Sequence, residues 1–295
     1  LGSVRLTWSP PSANGYDGDA PTGFRIYTSL DGYGFDGGTY VAGGGTGSHT
    51  ITGLDVAQGV HYFKIAAVNE GGESAGSEVV AAMPVVGSSR VLVVNGFDRF
   101  ERLLNPRQNY PGGTLDRVRP RFANSFDYVV QVADAVESYS QQITLDTAAN
   151  EAIIAGSVML DDYDSVVWIL GEESSADKTF DATEQTRVEA FVAAGGNLFA
   201  TGGEIGWDLD QLGNGRGFYN NVLRANYTAD DAATYNVRGV AGRLFDGLSF
   251  GFDDGSQFYD VNFPDVISPF GGSLVSLEYV GGIGGTAAIQ FQPDD

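Results

Sequence analysis

Residues 165–203 read SVVWILGEESSADKTFDATEQTRVEAFVAAGGNLFATGG, and this stretch decides the fold class. It begins with an apolar run at 166–170, which is typical of a strand buried on both faces of a parallel sheet. Residues 183–194 have apolar side chains at helix spacing, and 198–201 form a further apolar run. Strand, helix and strand in this order predict a right-handed crossover and therefore an α/β sandwich.

The predicted helix over 183–194 carries its own start and stop signals. Thr183 is a candidate N-cap, because its hydroxyl can accept a backbone N–H of the first turn. Val188, Phe191 and Val192 are expected to face inward. The pair Gly195-Gly196 is expected to end the helix in a left-handed conformation.

Other segments extend this α/β pattern and then change it. The apolar run at 91–94 predicts another buried strand, and the apolar spacing over 126–138 predicts a helix. After residue 225, short strand-like runs appear at 235–240, 274–279 and 287–291, interrupted by Gly and Asp. We interpret them as the rest of the sheet together with a β-rich insertion.

The N-terminal part alternates apolar and polar residues, with Val4, Leu6 and Trp8 on one strand face. Residues 51–78, ITGLDVAQGVHYFKIAAVNEGGESAGSE, resemble a fibronectin type III domain. The resemblance implies an all-β, immunoglobulin-like sandwich over 1–84, with Trp8 in its core. It also implies a tyrosine corner in which the Tyr62 hydroxyl bonds to nearby backbone. The family's first strand has no counterpart before Val4, so we expect this domain to lack it.

The segment DYDSVVWILGEES together with EQTRVEAFVAAGGNLFATGGEIGWDLD resembles the class I glutamine amidotransferase-like fold. This implies a flavodoxin-like, three-layer α/β sandwich over 85–295, truncated at its C-terminus. The segment is more closely similar to a module of secreted bacterial proteins that also carry fibronectin type III repeats. Some of those proteins are described as xanthan lyases or N-acetylmuramoyl-L-alanine amidases. The resemblance therefore implies a multidomain protein that is extracellular or attached to the cell surface.

Composition limits the classes of partner. The chain of 295 residues has 38 Asp and Glu against 16 Lys and Arg, a formal net charge of -22. Such a charge repels nucleic acid and anionic membranes and suits a cation such as calcium. No apolar run reaches the length of a membrane span, so no membrane insertion is expected.

Histidine and cysteine usage limits the chemistry further. The chain has no Cys, and its only histidines are His49 and His61. A Ser-His-Asp triad, a Cys-His pair or a His-based zinc site therefore cannot be assembled within 85–295. The Cys and His of amidotransferase relatives are absent, which excludes their glutaminase activity. The glycines at 202–206 lack the spacing of a phosphate-binding loop, so no nucleotide or redox cofactor is expected.

Carboxylates are the remaining candidates for catalysis. Glu172 and Glu173 follow one predicted strand, and Glu204 and Asp208 follow the next. Ligands of open α/β sheets bind beyond the carboxyl ends of the strands, so these groups are expected on one rim. A pair of them could act as acid and base on a glycoside. Alternatively, they cap loops or hold an ion.

Two hydroxyls also follow this strand. Ser174 and Ser175 could be nucleophiles only with a base other than His, and Lys178 is the nearby candidate. The alternative is a helix start in which both hydroxyls bond backbone N–H groups.

Binding candidates lie in the same region. Asp208, Asp210 and Asn214 are the best fragment of a calcium site, because calcium takes carboxylate and amide oxygens. Trp207 could stack on a sugar ring or lie in an aromatic cluster. The arginines of residues 99–121 could grip an acidic ligand or pair with acids of the chain itself. The ligand-binding candidates among them are Arg99, Arg102, Arg119 and Arg121.

Three functions remain open. The first is a non-catalytic module of a larger secreted protein that engages polysaccharide, cell wall or other protein subunits. The second is a carboxylate-dependent hydrolase of polysaccharide or peptidoglycan. The third is a structural subunit of an extracellular filament or surface layer. The missing histidines favour the first.

Overall fold

The computed structural model describes residues 1–13, 19–85, 87, 89–105, 107–118, 122, 124–139 and 143–293. Strands occupy 37% of the protein and helices 19%, and the strands form several sheets, so the fold is sheet-rich. Arg119 and Arg121 lie outside the described residues. Among the described residues, no helix has the length and apolar character needed to cross a membrane.

The strands, in chain order, are β1 (Gly2–Thr7), β2 (Gly23–Ser29), β3 (Thr39–Ala42), β4 (Ser48–Leu54), β5 (His61–Asn69), β6 (Gly72–Glu73), β7 (Val80–Ala82), β8 (Ser89–Asn95), β9 (Arg107–Tyr110), β10 (Gly113–Asp116), β11 (Ile143–Ala149), β12 (Ser165–Gly171), β13 (Asn197–Gly202), β14 (Ala225–Ala229), β15 (Asn236–Gly239), β16 (Ser249–Gly251), β17 (Val266–Pro269), β18 (Leu274–Tyr279) and β19 (Thr286–Gln290). The α-helices are α1 (Val129–Tyr139), α2 (Asn150–Ile154), α3 (Ser174–Asp177), α4 (Ala182–Ala193) and α5 (Arg216–Asn221). Short 3-10 turns lie at Val56–Gln58, Arg102–Leu104 and Leu160–Asp162, and a π-helical turn at Trp207–Gln211.

The chain folds into two compact units. Unit 1 comprises Leu1–Val94, Phe126–Ala149 and Asp162–Val166, and unit 2 comprises Asn95–Ser125, Asn150–Asp161 and Val167–Asp295. These ranges are not the expected modules 1–84 and 85–295, because unit 1 also takes in helix α1 and strand β11. The two modules remain predictions.

Unit 1 is built on two sets of strands, in which every pair whose direction is given is antiparallel. Strand β1 pairs with β4. The other strands follow the order β3-β2-β5-β7-β11-β8, with β6 attached to β5. The alternation predicted for β1 is confirmed, since Val4 and Leu6 are buried in a core with Ile26 and Phe63. Trp8 packs at the edge of this core.

The predicted tyrosine corner is wrong in its hydrogen bond. Tyr62 is 1% exposed, and its hydroxyl donates to the carboxylate of Asp134. Asp134 belongs to helix α1, so the helix supplies the acceptor that the prediction placed on nearby backbone. Val130 of the same helix lies within 2.6 Å of a Cβ built on Gly32. Helix α1 therefore packs directly against this part of unit 1.

In unit 2, the strand, helix and strand predicted within residues 165–203 are present as β12, α4 and β13. Strands β12 and β13 are neighbours in the sheet. Val188 and Phe191 of α4 are buried, and Gly195 has a φ of 94°, as the helix signals predicted. An aromatic cluster lies beside them, with the Trp168 and Phe180 ring centroids 5.0 Å apart.

The predicted N-cap of α4 is wrong by two residues. Asp181 is the N-cap, and its side chain accepts the backbone N–H groups of Thr183 and Glu184. Glu184 reaches back to the backbone N–H of Asp181, which completes a capping box. The Oδ1 atom of Asp181 accepts both amides at once, so the cap lies at Asp181 rather than at Thr183.

The C-terminal part of unit 2 forms a separate sheet. Its six strands follow the order β14-β17-β19-β18-β15-β16, and their pairs are antiparallel. The predicted runs at 235–240, 274–279 and 287–291 correspond to β15, β18 and β19. The segment at 98–125 contains one further hairpin, formed by β9 and β10.

Replacing Asp181 with Ala removes the acceptor of two amides, so we expect the free energy of unfolding to fall by about 1 kcal/mol. Urea unfolding followed by circular dichroism measures this loss. Thr183→Ala is the matched control, and we expect it to change stability by less than about 0.5 kcal/mol. Equal losses in both variants would contradict the assignment of the cap.

Candidate functional site

Strand β12 ends at Gly171, a position that has no room for a side chain. Gly171 has a φ of 46°, and a Cβ at this position would lie 2.2 Å from the Cδ1 atom of Phe97. A side chain here would therefore be both strained and obstructed. The turn leads the chain directly into Glu172 and Glu173, which are 5% and 1% exposed. These two predicted site residues are thus buried.

Glu172 is held by backbone from far along the chain. Its Oε1 atom accepts a hydrogen bond from the backbone N–H of Asn262. Burial raises the pKa of Glu172 to about 8, and the carboxylate of Glu204 adds to the rise, while the Asn262 amide opposes it. Glu172 is therefore largely protonated at neutral pH, when an ordinary glutamate is ionised.

Glu173 connects the turn to the segment that follows β8. Its Oε2 atom accepts the backbone N–H groups of Asp98 and Arg99, at 3.0 and 2.9 Å. Its Oε1 atom is buried without a hydrogen-bond partner in the described structure. Burial raises the pKa of Glu173 to about 8, and the carboxylates of Asp98 and Asp177 contribute.

Ser174 occupies a strained position on the same turn. Its φ is 53°, which is uncommon for a residue with a side chain, and it is 7% exposed. It forms a side-chain hydrogen bond with Glu204. Burial raises the pKa of Glu204, and the bond from Ser174 opposes that rise. The structure therefore brings the predicted Glu204 to Ser174 and close enough to Glu172 for their charges to interact.

Asp208 organises a loop. It is fully buried, and its Oδ2 atom accepts the backbone N–H and the hydroxyl of Thr179 at 2.9 and 2.8 Å. Its Oδ1 atom accepts the side-chain amide of Asn214 at 2.7 Å. Both carboxylate oxygens therefore already have protein donors, which is typical of a structural role.

Asp210 is occupied in a similar way. Its Oδ1 atom accepts Nε of Arg216 at 2.7 Å, and its Oδ2 atom accepts the backbone N–H of Tyr227 at 2.9 Å. The calcium set predicted at Asp208, Asp210 and Asn214 stays a prediction. A cation there would have to compete with these donors.

Asp265 is a buried carboxylate that the sequence reasoning missed. Its Oδ2 atom accepts the backbone N–H groups of Gly206 and Trp207, at 2.6 and 3.0 Å. Burial raises the pKa of Asp265 to about 8. No local pattern marks this residue, because its partners lie almost sixty positions earlier. Trp207 lies half-buried against Tyr227, with ring centroids 6.1 Å apart.

The described arginines of the predicted ligand site bond to acceptors within unit 2. Arg99 pairs with Glu101, and its Nη1 atom donates to the backbone carbonyl of Glu172 at 3.1 Å. Arg102 pairs with Asp116 at 2.8 Å. These contacts match the alternative in which the arginines neutralise acids of the chain itself.

Two concave surfaces lie in unit 1, where no site was predicted. One open cleft of about 370 Å³ is lined by Tyr27, Tyr33, Phe35, Asp36, Lys64, Ala66, Glu73, Ser74 and Gly76. A second hollow of about 530 Å³ shares Phe35 and Asp36 with it. Lys64 Nζ lies 4.2 Å from the ring centroid of Phe35 and 5.6 Å from that of Tyr27. The sequence feature that could have pointed to this cleft is the group of aromatic residues around the turn at 31–32, namely Tyr27, Tyr33 and Phe35.

The raised pKa of Glu172 makes stability depend on pH. Between its ordinary value of 4.5 and about 8, the folded protein keeps a proton that the unfolded chain releases, so raising the pH favours unfolding. The stabilising contribution is complete below 4.5 and is lost as the pH passes 8. Each such group contributes a slope of at most about 1.4 kcal/mol per pH unit.

Glu172→Gln should flatten this slope, because Gln cannot ionise and can still accept the Asn262 amide. Urea unfolding across about pH 5 to 8 measures the free energy of unfolding of wild type and variant. Glu189→Gln, at an exposed position of α4, should leave the slope unchanged. A Glu172→Gln slope equal to that of wild type would contradict the assignment.

The chain matches no known protein-family model, and no curated protein shows significant sequence similarity to it. The resemblances to the fibronectin type III and amidotransferase-like folds therefore remain predictions. The function has to be inferred from the residues and their geometry.

Proposed function

We propose that the chain is a non-catalytic binding module of a larger secreted bacterial protein, and that it engages a glycan of the cell surface or cell wall. The cleft in unit 1 carries this proposal, because it combines three aromatic side chains with charged groups. Binding sites for small polar ligands are typically concave and partly aromatic, with a few well-placed polar groups.

The proposal includes the two modules predicted from sequence. The pairing of β1 with β4 and the order β3-β2-β5-β7 support a fibronectin type III-like sandwich, since two antiparallel sets enclose the core around Phe63. The crossover from β12 through α4 to β13 supports a flavodoxin-like core in unit 2.

The chemistry of the cleft favours a sugar. Tyr27, Tyr33 and Phe35 line the cleft beside Lys64, and the C–H face of a pyranose ring can stack on an aromatic ring. Asp36 and Glu73 already accept hydrogen bonds from the protein, so only their remaining lone pairs can accept sugar hydroxyls. Lys64 can meet a carboxylate of an acidic sugar. The carboxylates of unit 2 support the non-catalytic reading, because several of them are committed to backbone N–H groups.

Phe35→Ala should weaken glycan binding about tenfold, because losing one stacked ring costs about 1.4 kcal/mol. Affinity electrophoresis against soluble polysaccharides and peptidoglycan fragments measures the change. Tyr139→Ala is the control, since Tyr139 is 86% exposed and lies outside the cleft. Failure of wild type to bind any glycan, or equal binding by Phe35→Ala, would reject the proposal.

A second candidate is a hydrolase that works through the rim of unit 2. The observation that favours it is the strained Ser174 directly after β12, hydrogen-bonded to Glu204. In such an enzyme, the Ser174 hydroxyl would attack an ester carbonyl, its proton would pass to Glu204, and Glu204 would return that proton to the leaving alcohol. A water molecule would then give a proton to Glu204 and attack the acyl-serine ester, and Glu204 would return the proton to the Ser174 oxygen as the carboxylic acid leaves. A serine on a tight strand-to-helix turn is a recurrent position for a nucleophile.

Ser174→Ala should then lower the hydrolysis of p-nitrophenyl acetate or acetylated polysaccharide about 100-fold or more. Ser175→Ala is the matched control, since Ser175 is the exposed neighbour on the same turn, and it should retain the wild-type rate. Absence of turnover by wild type, or equal rates in the two variants, would reject this candidate.

A further inference from the structure

The segment after β8 and the turn after β12 bring three carboxylates together in unit 2. Asp98, Glu173 and Asp177 each offer one oxygen, and these oxygens lie within 4.8 Å of one another. Calcium binds oxygen at about 2.4 Å. Two oxygens bound to one such ion lie at most twice this distance apart, so the spacing of the three oxygens is compatible with a shared ion.

Glu173 supplies an independent observation. It is 1% exposed, and its Oε2 atom is occupied by the backbone N–H groups of Asp98 and Arg99. Its Oε1 atom is buried and has no hydrogen-bond partner among the described residues. Buried polar atoms without a partner are rare in native proteins and often mark an ion or water position.

The charges around the cluster have one sign. The side chains whose charges act most strongly on Asp98 are Glu151 and Asp177, both acids. In the part of the chain that the structure describes, none of the three carboxylates pairs with Lys or Arg. Acids gathered at this distance repel one another unless they keep a proton or a cation offsets their charge, and a bound cation would favour the ionised form of all three.

We propose that Asp98, Glu173 and Asp177 bind a single hard divalent cation, with calcium as the preferred ion. The ligand set contains only oxygen, which suits calcium, magnesium or manganese and lacks the nitrogen and sulphur ligands typical of zinc. Asp177 is exposed, so water can complete the coordination from that side. Calcium fits the spacing best, since magnesium demands shorter and more regular bonds. This site is independent of the proposed glycan cleft.

The test is isothermal titration of EDTA-treated protein with CaCl₂ and, separately, MgCl₂. Wild type should bind one calcium ion, and Asp177→Asn should bind it about tenfold more weakly or worse, because the number of charged ligands sets the affinity. Glu189→Gln is the matched control, since it also removes one negative charge from an exposed helix position. Its affinity should equal that of wild type.

Glu173→Gln gives a second measurement that does not depend on the exposed ligand. Without calcium, its melting temperature should equal or exceed that of wild type, because one acid of the repelling group is gone. Added CaCl₂ should raise the melting temperature of wild type but not of this variant. Lack of calcium binding by wild type, or an affinity unchanged by Asp177→Asn, would overturn the proposal.

Discussion

A carboxyl group that leaves water must find hydrogen-bond donors, meet a cation or keep its proton. Unit 2 meets this constraint repeatedly around the turn at Gly171. Glu172 and Glu173 are buried there, directly after Gly171, where the backbone packs closely against Phe97. The arrangement of the surrounding loops follows from how each of these acids is satisfied.

The buried acids of unit 2 connect segments that are distant in sequence. Glu173 binds backbone at 98–99, Asp208 binds the start of the segment before α4, and Asp265 binds the turn at 206–207. Each acid satisfies loop amides that no strand or helix would satisfy. The loops at this rim are therefore fixed by side chains rather than by regular secondary structure.

Sequence periodicity was sufficient to predict those strands and helices whose formation depends on residues close together in the chain. The run at 166–170 became β12, and the apolar spacing after Asp181 became α4, because burial and helix period are local properties. The cap was misplaced by two residues, since Asp181 and Thr183 are both good N-caps and only the backbone geometry separates them.

Sequence could not locate contacts that depend on long-range packing. Asp98 lies some seventy-five positions before Glu173, so nothing local marks the two as neighbours. The cleft in unit 1 depends on the register between β2 and β5, which sets the ring of Tyr27 beside Lys64. The raised pKa values arise from burial, and burial is a property of the finished fold.

The bond between Glu172 and Asn262 also has a kinetic consequence. It joins residues 90 positions apart, so the turn after β12 cannot reach its final hydrogen bonding until the segment before β17 has been made and has folded against it. During synthesis, Glu172 leaves the ribosome well before its partner and waits in water as an ionised side chain. Closing such a long loop is slow compared with local folding. The hydrogen bonding of this rim therefore cannot be complete before the segment around Asn262 has been synthesised.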